Sequence, residues 1–302
     1  MPLRLIRRLA FGVVGSLLLL GLLVAASIPI DGLLGHDRIE AVSNVEIPGS
    51  GTAVRAYVAR PSGPGPHPTV VMIHEWWGLN AELTSKADAL ASEGYVVVAP
   101  DTFRGSTTAW IPRAIYQVSS TPTARVNSDL DAVYAWLAEQ PDVARDRIGV
   151  VGFCYGGRAA VNYSLHNPAL ASTVTFYGMA TTDSAELPAL PGPVLGIFGG
   201  ADNSISLEEV REFEAGLDAA GVPNRVTVYE GQPHAFVKGA EEIQRDPVQK
   251  AAWSEMLAFL RESLQQPAAA KAPPPFAASH GHHASDAPTN LVGLVVHSLQ
   301  GH

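Results

Sequence analysis

The chain has 302 residues, enough for one large α/β domain with appendages. Charged residues make up 16% and the net charge is −9, which argues against a broadly basic nucleic-acid-binding surface. A single cysteine excludes an intrachain disulfide and any multi-cysteine zinc or iron–sulfur site.

Arg4, Arg7 and Arg8 precede an uncharged, mostly apolar run from Leu9 to Ile30. At about 22 residues, the run falls within the 17–25 that a bilayer-spanning helix needs. Basic residues ahead of it predict a cytoplasmic N-terminus, with everything after Asp31 outside the cytoplasm. The run exceeds a signal-peptide core of about 7–15 residues. Ala25-Ala26-Ser27 nevertheless offers small residues for cleavage. Residues 1–30 therefore read as a membrane anchor, or as a signal segment whose removal would leave a secreted or periplasmic protein. Residues 31–42 read as a linker.

Beyond the linker the pattern alternates between strand and helix. Thr52–Ala59 suits an early strand, with Val45-Glu46-Ile47 as its partner. Proline and glycine density marks Pro61–Pro68 as a loop. Thr69–Ile73 is an apolar run of buried-strand type. Leu83, Ala87, Leu90 and Ala91 follow helical spacing, and Gly94 stops that helix. Tyr95–Ala99 is the next buried strand. Thr102–Thr121 shows no clear period and carries Arg104, Trp110, Arg113 and Tyr116. It reads either as part of a pocket or as an ordinary long loop. Val126, Leu130, Val133 and Leu137 mark a helix before the strand Ile148–Phe153. A helix to near His166 and a strand near Ala171–Tyr177 come next. Strands at Pro193–Phe198 and Arg225–Tyr229 follow, with helical faces at Val210, Phe213 and Leu217 and at Val248, Ala252, Met256 and Phe259.

This alternation predicts an α/β fold over residues 43–264: a mostly parallel central sheet with helices on both faces. Ligands in such sheets bind beyond the carboxyl ends of the strands. From Gln265 to residue 302 the chain turns rich in Ala and Pro and reads as a disordered tail. Its His280, His282, His283, His297 and His302 read as solvated rather than metal-binding. Asn290–Leu299 has the apolar residues for a short docking helix.

The chemistry concentrates at Gly152-Phe153-Cys154-Tyr155-Gly156-Gly157. A strand-to-helix corner of pattern Gly-x-Cys-x-Gly is a nucleophile elbow with cysteine in place of serine. The tight turn lifts the reactive atom above the sheet and leaves room only for small neighbours, Gly152 and Gly156. The backbone N–H of Tyr155, at the start of the next helix, can hold an oxyanion. Asp202 and His234 each follow a strand. The chain order Cys154, Asp202, His234 is nucleophile, acid, histidine, the α/β-hydrolase order. His234 would exchange the thiol proton and Asp202 would orient the imidazole. Asp183 is the weaker candidate acid. The loop His74-Glu75-Trp76-Trp77-Gly78 follows another buried strand and offers the Trp76 amide as a second oxyanion donor. Glu75 beside that position would repel the developing charge unless it has a partner.

The elbow, the His74-Glu75-Trp76-Trp77-Gly78 loop and Pro233-His234-Ala235-Phe236 together resemble the dienelactone hydrolase family over roughly Val45 to Leu264. The resemblance implies a Cys–His–Asp triad that hydrolyses enol-lactones and related esters. It also implies that Glu75 lies near the resting cysteine and helps deprotonate it, with substrate redirecting the sulfur toward His234. In that family arginines hold the substrate carboxylate. Here the position just after the histidine offers Lys238, which lacks a bidentate fork, and Arg104 is the candidate in the other region. Trp77, Arg104 and Lys238 are therefore the candidates for contact with substrate. The expected enzyme is a monomer without metal or organic cofactor, acting on a small-molecule ester or lactone and held to a membrane by its N-terminal helix. The rival readings are a broader carboxylesterase or thioesterase with the same triad, and a surface protein whose Cys154 is merely packed or redox-sensing.

Overall fold

Apolar residues recur with period two in some stretches and with helical period in others, so strands and helices alternate. The computed structural model describes residues 3–34, 36–49, 51–179 and 185–265. In chain order its elements are α1 (Leu3–Leu34), α2 (His36–Val42), β1 (Val45–Ile47), β2 (Val54–Ala59), β3 (His67–Ile73), α3 (Ala81–Ser92) and β4 (Val96–Pro100). Then come α4 (Ile111–Ser119), α5 (Thr123–Glu139), β5 (Val143–Phe153), α6 (Tyr155–His166), β6 (Thr173–Phe176) and β7 (Val194–Gly199). The last are α7 (Leu207–Ala219), β8 (Asn224–Tyr229), α8 (Ala240–Arg245) and α9 (Pro247–Leu260).

The strands form an eight-stranded sheet in the order β1-β2-β4-β3-β5-β6-β7-β8. The β1–β2 and β2–β4 pairs are antiparallel and the rest are parallel. The pleat sends alternate residues to opposite faces. Val70, Met72, Val97, Val151 and Phe153 share a core with Leu83 and Leu90 of α3 and Trp253 and Met256 of α9. Val71, Ile73, Val96, Val98 and Val150 share the other core with Leu130 of α5 and Tyr163 of α6. β3 and β5 are neighbours, yet the helices that follow them cover opposite faces. Their diverging loops open a crevice at the carboxyl end of the sheet, where ligands of such folds bind.

Two stretches differ from the sequence reading. Residues 31–42 are helical rather than a loose linker: α1 runs to Leu34, and α2 inserts Ile39 into the core with no exposed surface. Ile39 and Val42 lie on one helical face while Arg38 and Glu40 face solvent, a pattern too short to stand out in the sequence. The stretch 102–121 contains α4. Ile111, Ala114, Ile115 and Val118 carry the helical spacing, and Pro112 sits in the first turn, where proline is tolerated. The helix α8 also went unread, being one to two turns long. Asp183 and all of the tail after Gln265 lie outside the described residues.

If α2 is a docked part of the fold, Ile39→Ala should destabilise the full chain by about 2–4 kcal/mol. Urea unfolding in detergent micelles measures this. An unchanged midpoint would return residues 36–42 to the status of a linker.

Candidate active site

The elbow forces a left-handed backbone on a non-glycine residue: Cys154 has φ 55° and ψ −114°. Such a conformation costs on the order of 1–3 kcal/mol and persists only where the surroundings over-determine it. Here the Cys154 N–H donates to Phe176 O at 2.9 Å, and the Cys154 carbonyl accepts from Arg158 N at 3.2 Å. The corner is too tight for side chains. A methyl on Gly156 would strike the carbonyls of Ile73 and His74, and one on Gly152 would strike the Gly156 carbonyl. The sulfur is thus lifted at the start of α6, between the ends of β5 and β6.

Two more strand ends deliver its neighbours. β7 ends in Gly199-Gly200, and β8 ends in the turn that leads to His234. The two loops are knit by Gly200 N–H to Tyr229 O at 2.8 Å and Ala201 N–H to Gln232 O at 2.9 Å. Gly199 allows that approach, because a methyl there would collide with the Gln232 carbonyl. His234 Nε2 lies 3.0 Å from Cys154 Sγ, and His234 Nδ1 lies 2.7 Å from Asp202 Oδ2. Asp202 is almost fully buried, and its other oxygen accepts from Ser204 N at 2.6 Å and Ile205 N at 3.1 Å. Burial of His234 disfavours its charged form. The Cys154 sulfur and the Asp202 carboxylate outweigh that and push its pKa up to about 11.

The loop after β3 is held by a residue whose role the sequence did not reveal. His74 is fully buried, and burial lowers its pKa to about 4, against two backbone hydrogen bonds that favour its charged form. The neutral ring donates from Nδ1 to Glu75 O at 2.7 Å and accepts at Nε2 from Thr102 N at 3.2 Å. Glu75 O also accepts from Gly78 N at 3.1 Å. Glu75 O and the Trp76 N–H belong to one peptide plane. Fixing the oxygen therefore fixes the direction of the N–H. The next peptide is fixed from α4, where Gln117 Nε2 donates to Trp76 O. Trp77 O accepts from Thr108 N at 2.9 Å and Thr107 Oγ1 at 3.0 Å.

A cysteine, a histidine and a carboxylate in one row, at the ends of β5, β8 and β7, stand beside this loop. The model of the dienelactone hydrolase family matches residues 54–264. The chain belongs to the dienelactone hydrolase family. A protein of Methylorubrum extorquens provisionally named carboxymethylenebutenolidase is 32% identical over 72% of this chain and 80% of its own length. A protein of Escherichia coli K12 with the same provisional name is 32% identical over 72% of this chain and 85% of its own. A crystal structure from Klebsiella pneumoniae, provisionally described as a dienelactone hydrolase, superposes with a TM-score of 0.65 at 32% identity, covering 72% of this chain and 97% of that one. This chain is accordingly a hydrolase of esters or lactones on an α/β-hydrolase fold.

Within the dienelactone hydrolase scaffold, two expected side chains are placed differently. Cys154 Sγ already faces His234, and no hydrogen bond joins Glu75 to it among the described residues. The Glu75 carboxylate instead lies 3.4 Å from Tyr177 Oη, which is also 3.2 Å from Val237 O. Burial raises the Glu75 pKa; Lys86 opposes the shift and Glu82 adds to it, with Lys238 and His234 opposing it further. Arg104, the expected carboxylate fork, is engaged elsewhere: its Nε and Nη2 donate to Asp129 of α5 at 3.1 and 2.7 Å. Lys238 is exposed, and only its backbone N–H has a described bond, to Gln249. The Trp77 ring meets the Trp76 ring edge-on at 4.9 Å, so these two side chains brace one another.

Sequence reasoning passed over Tyr177 and Lys86. Tyr177 is fully buried; its ring lies 5.2 Å from that of His234. Burial, then the charges of Glu75 and Cys154, hold its hydroxyl well above the usual tyrosine range, so it stays protonated and donates hydrogen bonds. Lys86 is buried under the site with Nζ 4.3 Å from the Phe153 ring and 3.3 Å from Glu82 Oε1. It falls on the stripe Leu83, Ala87, Leu90, and a lysine on an apolar stripe was the available signal.

His74 gives a pH signature. Between about pH 4 and 6.5 the unfolded chain protonates this residue and the folded chain does not. It should therefore add up to about 3 kcal/mol of stability as pH rises through that window. Asp101, raised to about 6 by burial, works oppositely over nearly the same window. The signature is thus the difference between proteins. The stability gap between wild type and His74→Gln should widen by about 3 kcal/mol from pH 4 to 7 in urea titrations. Parallel pH profiles would contradict the buried neutral assignment.

Proposed function

We propose that the enzyme cleaves a carboxylic ester or lactone through a thioester on Cys154. The observation that carries this reading is the row Asp202–His234–Cys154, with contacts of 2.7 and 3.0 Å across three loops from separate strand ends. The thiolate attacks the carbonyl carbon. The carbonyl π electrons move to oxygen, and the N–H groups of Trp76 and Tyr155 hold the resulting oxyanion. Tyr155 is the first residue of α6, so its N–H has no carbonyl a turn earlier in the helix. As the tetrahedral intermediate collapses, the C–O bond breaks and His234 gives its Nε2 proton to the leaving oxygen. The neutral imidazole then takes a proton from water, whose oxygen attacks the thioester. Loss of thiolate releases the acid and restores the ion pair with His234.

Each remaining group has a supporting part. Asp202 orients His234 and favours its charged form. His74 aims the Trp76 amide. Glu75 stands where a full negative charge would oppose the oxyanion, and its raised pKa lessens that opposition. With Arg104 engaged by Asp129, the exposed Lys238 is the remaining candidate named for a substrate carboxylate, which favours neutral or singly anchored esters over the dienelactone type. One chain supplies every named group, so a monomer suffices. The apolar helix α1 would hold the enzyme on a membrane.

Cys154→Ala should abolish hydrolysis of 4-nitrophenyl acetate. Cys154→Ser should lose about a hundredfold or more in kcat/KM, because a hydroxyl beside His234 is far harder to ionise than a thiol. Asp202→Asn should lose on the order of 10²–10⁴ in kcat with KM little changed. Wild-type turnover by Cys154→Ala would sink the mechanism.

A further inference from the structure

The apolar helix α1 does not leave the hydrolase domain as a free stalk. Val24, Ser27, Ile28 and Asp31 form one helical stripe turned toward the domain, while Phe11, Leu18, Leu22, Leu23 and Ile30 are exposed. Trp110 Nε1 donates to Ser27 Oγ at 3.0 Å, and Thr108 Oγ1 donates to Asp31 Oδ2 at 2.5 Å. Arg113 Nη1 donates to Ile28 O at 3.4 Å, and Gly32 lies against its guanidinium. The same segment holds the carbonyls of Trp76 and Trp77 through Gln117, Thr107 and Thr108. The span and the oxyanion loop are thus fastened to one short segment.

Helix length decides where the membrane surface falls. Ser27 lies 19 positions beyond Arg8 on one helix. At 1.5 Å per residue this is about 28 Å, close to the ~30 Å thickness of a hydrocarbon core. With Arg8 at one boundary, the other lies at Ser27, where Trp110 is bonded. Trp110 is 44% exposed and Tyr116 is 49% exposed, the two aromatics among the exposed large hydrophobic residues that lie next to the end of α1. Tryptophan and tyrosine concentrate at the headgroup level of bilayers.

We propose that the face of α4 flanked by Trp110 and carrying Tyr116 lies in the headgroup layer of the bilayer spanned by α1. The site beside it then takes carboxylic esters that partition into that layer. The chemistry rests on the hydrolase reading above; the placement rests on the α1–α4 contacts, the length of α1 and the exposure of Trp110 and Tyr116.

The experiment uses the full chain in phosphatidylcholine vesicles. In vesicles brominated high on the acyl chains, Trp110 should contribute a quenched component to the fluorescence that Trp110→Tyr lacks. Absence of that component, or a mature chain whose mass shows cleavage after Ala26, overturns the placement. The double variant Trp110→Ser, Tyr116→Ser is then assayed on 4-nitrophenyl acetate in water and 4-nitrophenyl palmitate in the bilayer. The soluble ester should be hydrolysed within about twofold of wild type, and the bilayer ester about tenfold more slowly. Equal losses, or no loss, overturn the supply of substrate from the bilayer. If the wild type hydrolyses neither ester while Trp110 is quenched, the placement stands and the hydrolase reading fails.

Discussion

The site depends on one imidazole standing between a sulfur and a buried carboxylate. His234 would lose its proton if burial acted alone; with Cys154 on one nitrogen and Asp202 on the other, it keeps it well above neutrality. Those two contacts hold the sulfur, the imidazole and the carboxylate in one row. They also make the three loops interdependent. Displacing any one of them leaves a buried charge without its partner, a penalty of several kcal/mol. The knitting of the Gly199-Gly200 and Gln232-Pro233 loops, and the carbonyl of Phe176 that receives the Cys154 amide, are the structural answer to that demand.

A second constraint is the direction of an amide. Oxyanion donors act through pre-set orientation, so a loop that carries one must not swing. The loop after β3 is held at successive carbonyls by a neutral histidine, a glycine N–H, a glutamine from α4 and two threonines. This gives the segment between β4 and α5 a positioning duty. It also explains why α4 can couple the apolar helix to the site: the residues that brace the loop and those that grip α1 lie within a dozen positions of each other. The rival reading of a merely packed cysteine has no account of why Sγ faces Nε2 at 3.0 Å from a strained backbone.

The features legible in the sequence were those with a local signature. Strand and helix periods gave the layered sheet, and the elbow, the Asp202 loop and the His234 loop each announced themselves by residue type after a strand. The relations that failed to show depend on tertiary contact. Nothing local says that Arg104 meets Asp129 on the next helix, or that Glu75 faces Tyr177 rather than the sulfur, since these pairs are joined only by the fold. α2 is too short for periodicity to register. α4 could have been read from Ile111, Ala114, Ile115 and Val118; its flanking turns, rich in Ser and Thr, obscured the period. His74 stood in plain view inside a motif, but its duty is defined by the peptide it pins, which only coordinates reveal.

The central claim is that Cys154 carries the acyl group. Its most direct test is to quench the wild-type enzyme during turnover of 4-nitrophenyl acetate, at low pH and within the burst, and to map the mass of its peptides. The account predicts an acetyl adduct on the peptide containing Cys154, labile to hydroxylamine and slower to clear in a variant with impaired deacylation. An enzyme that turns over with no adduct on that peptide, or with the acetyl group on another residue, would contradict it.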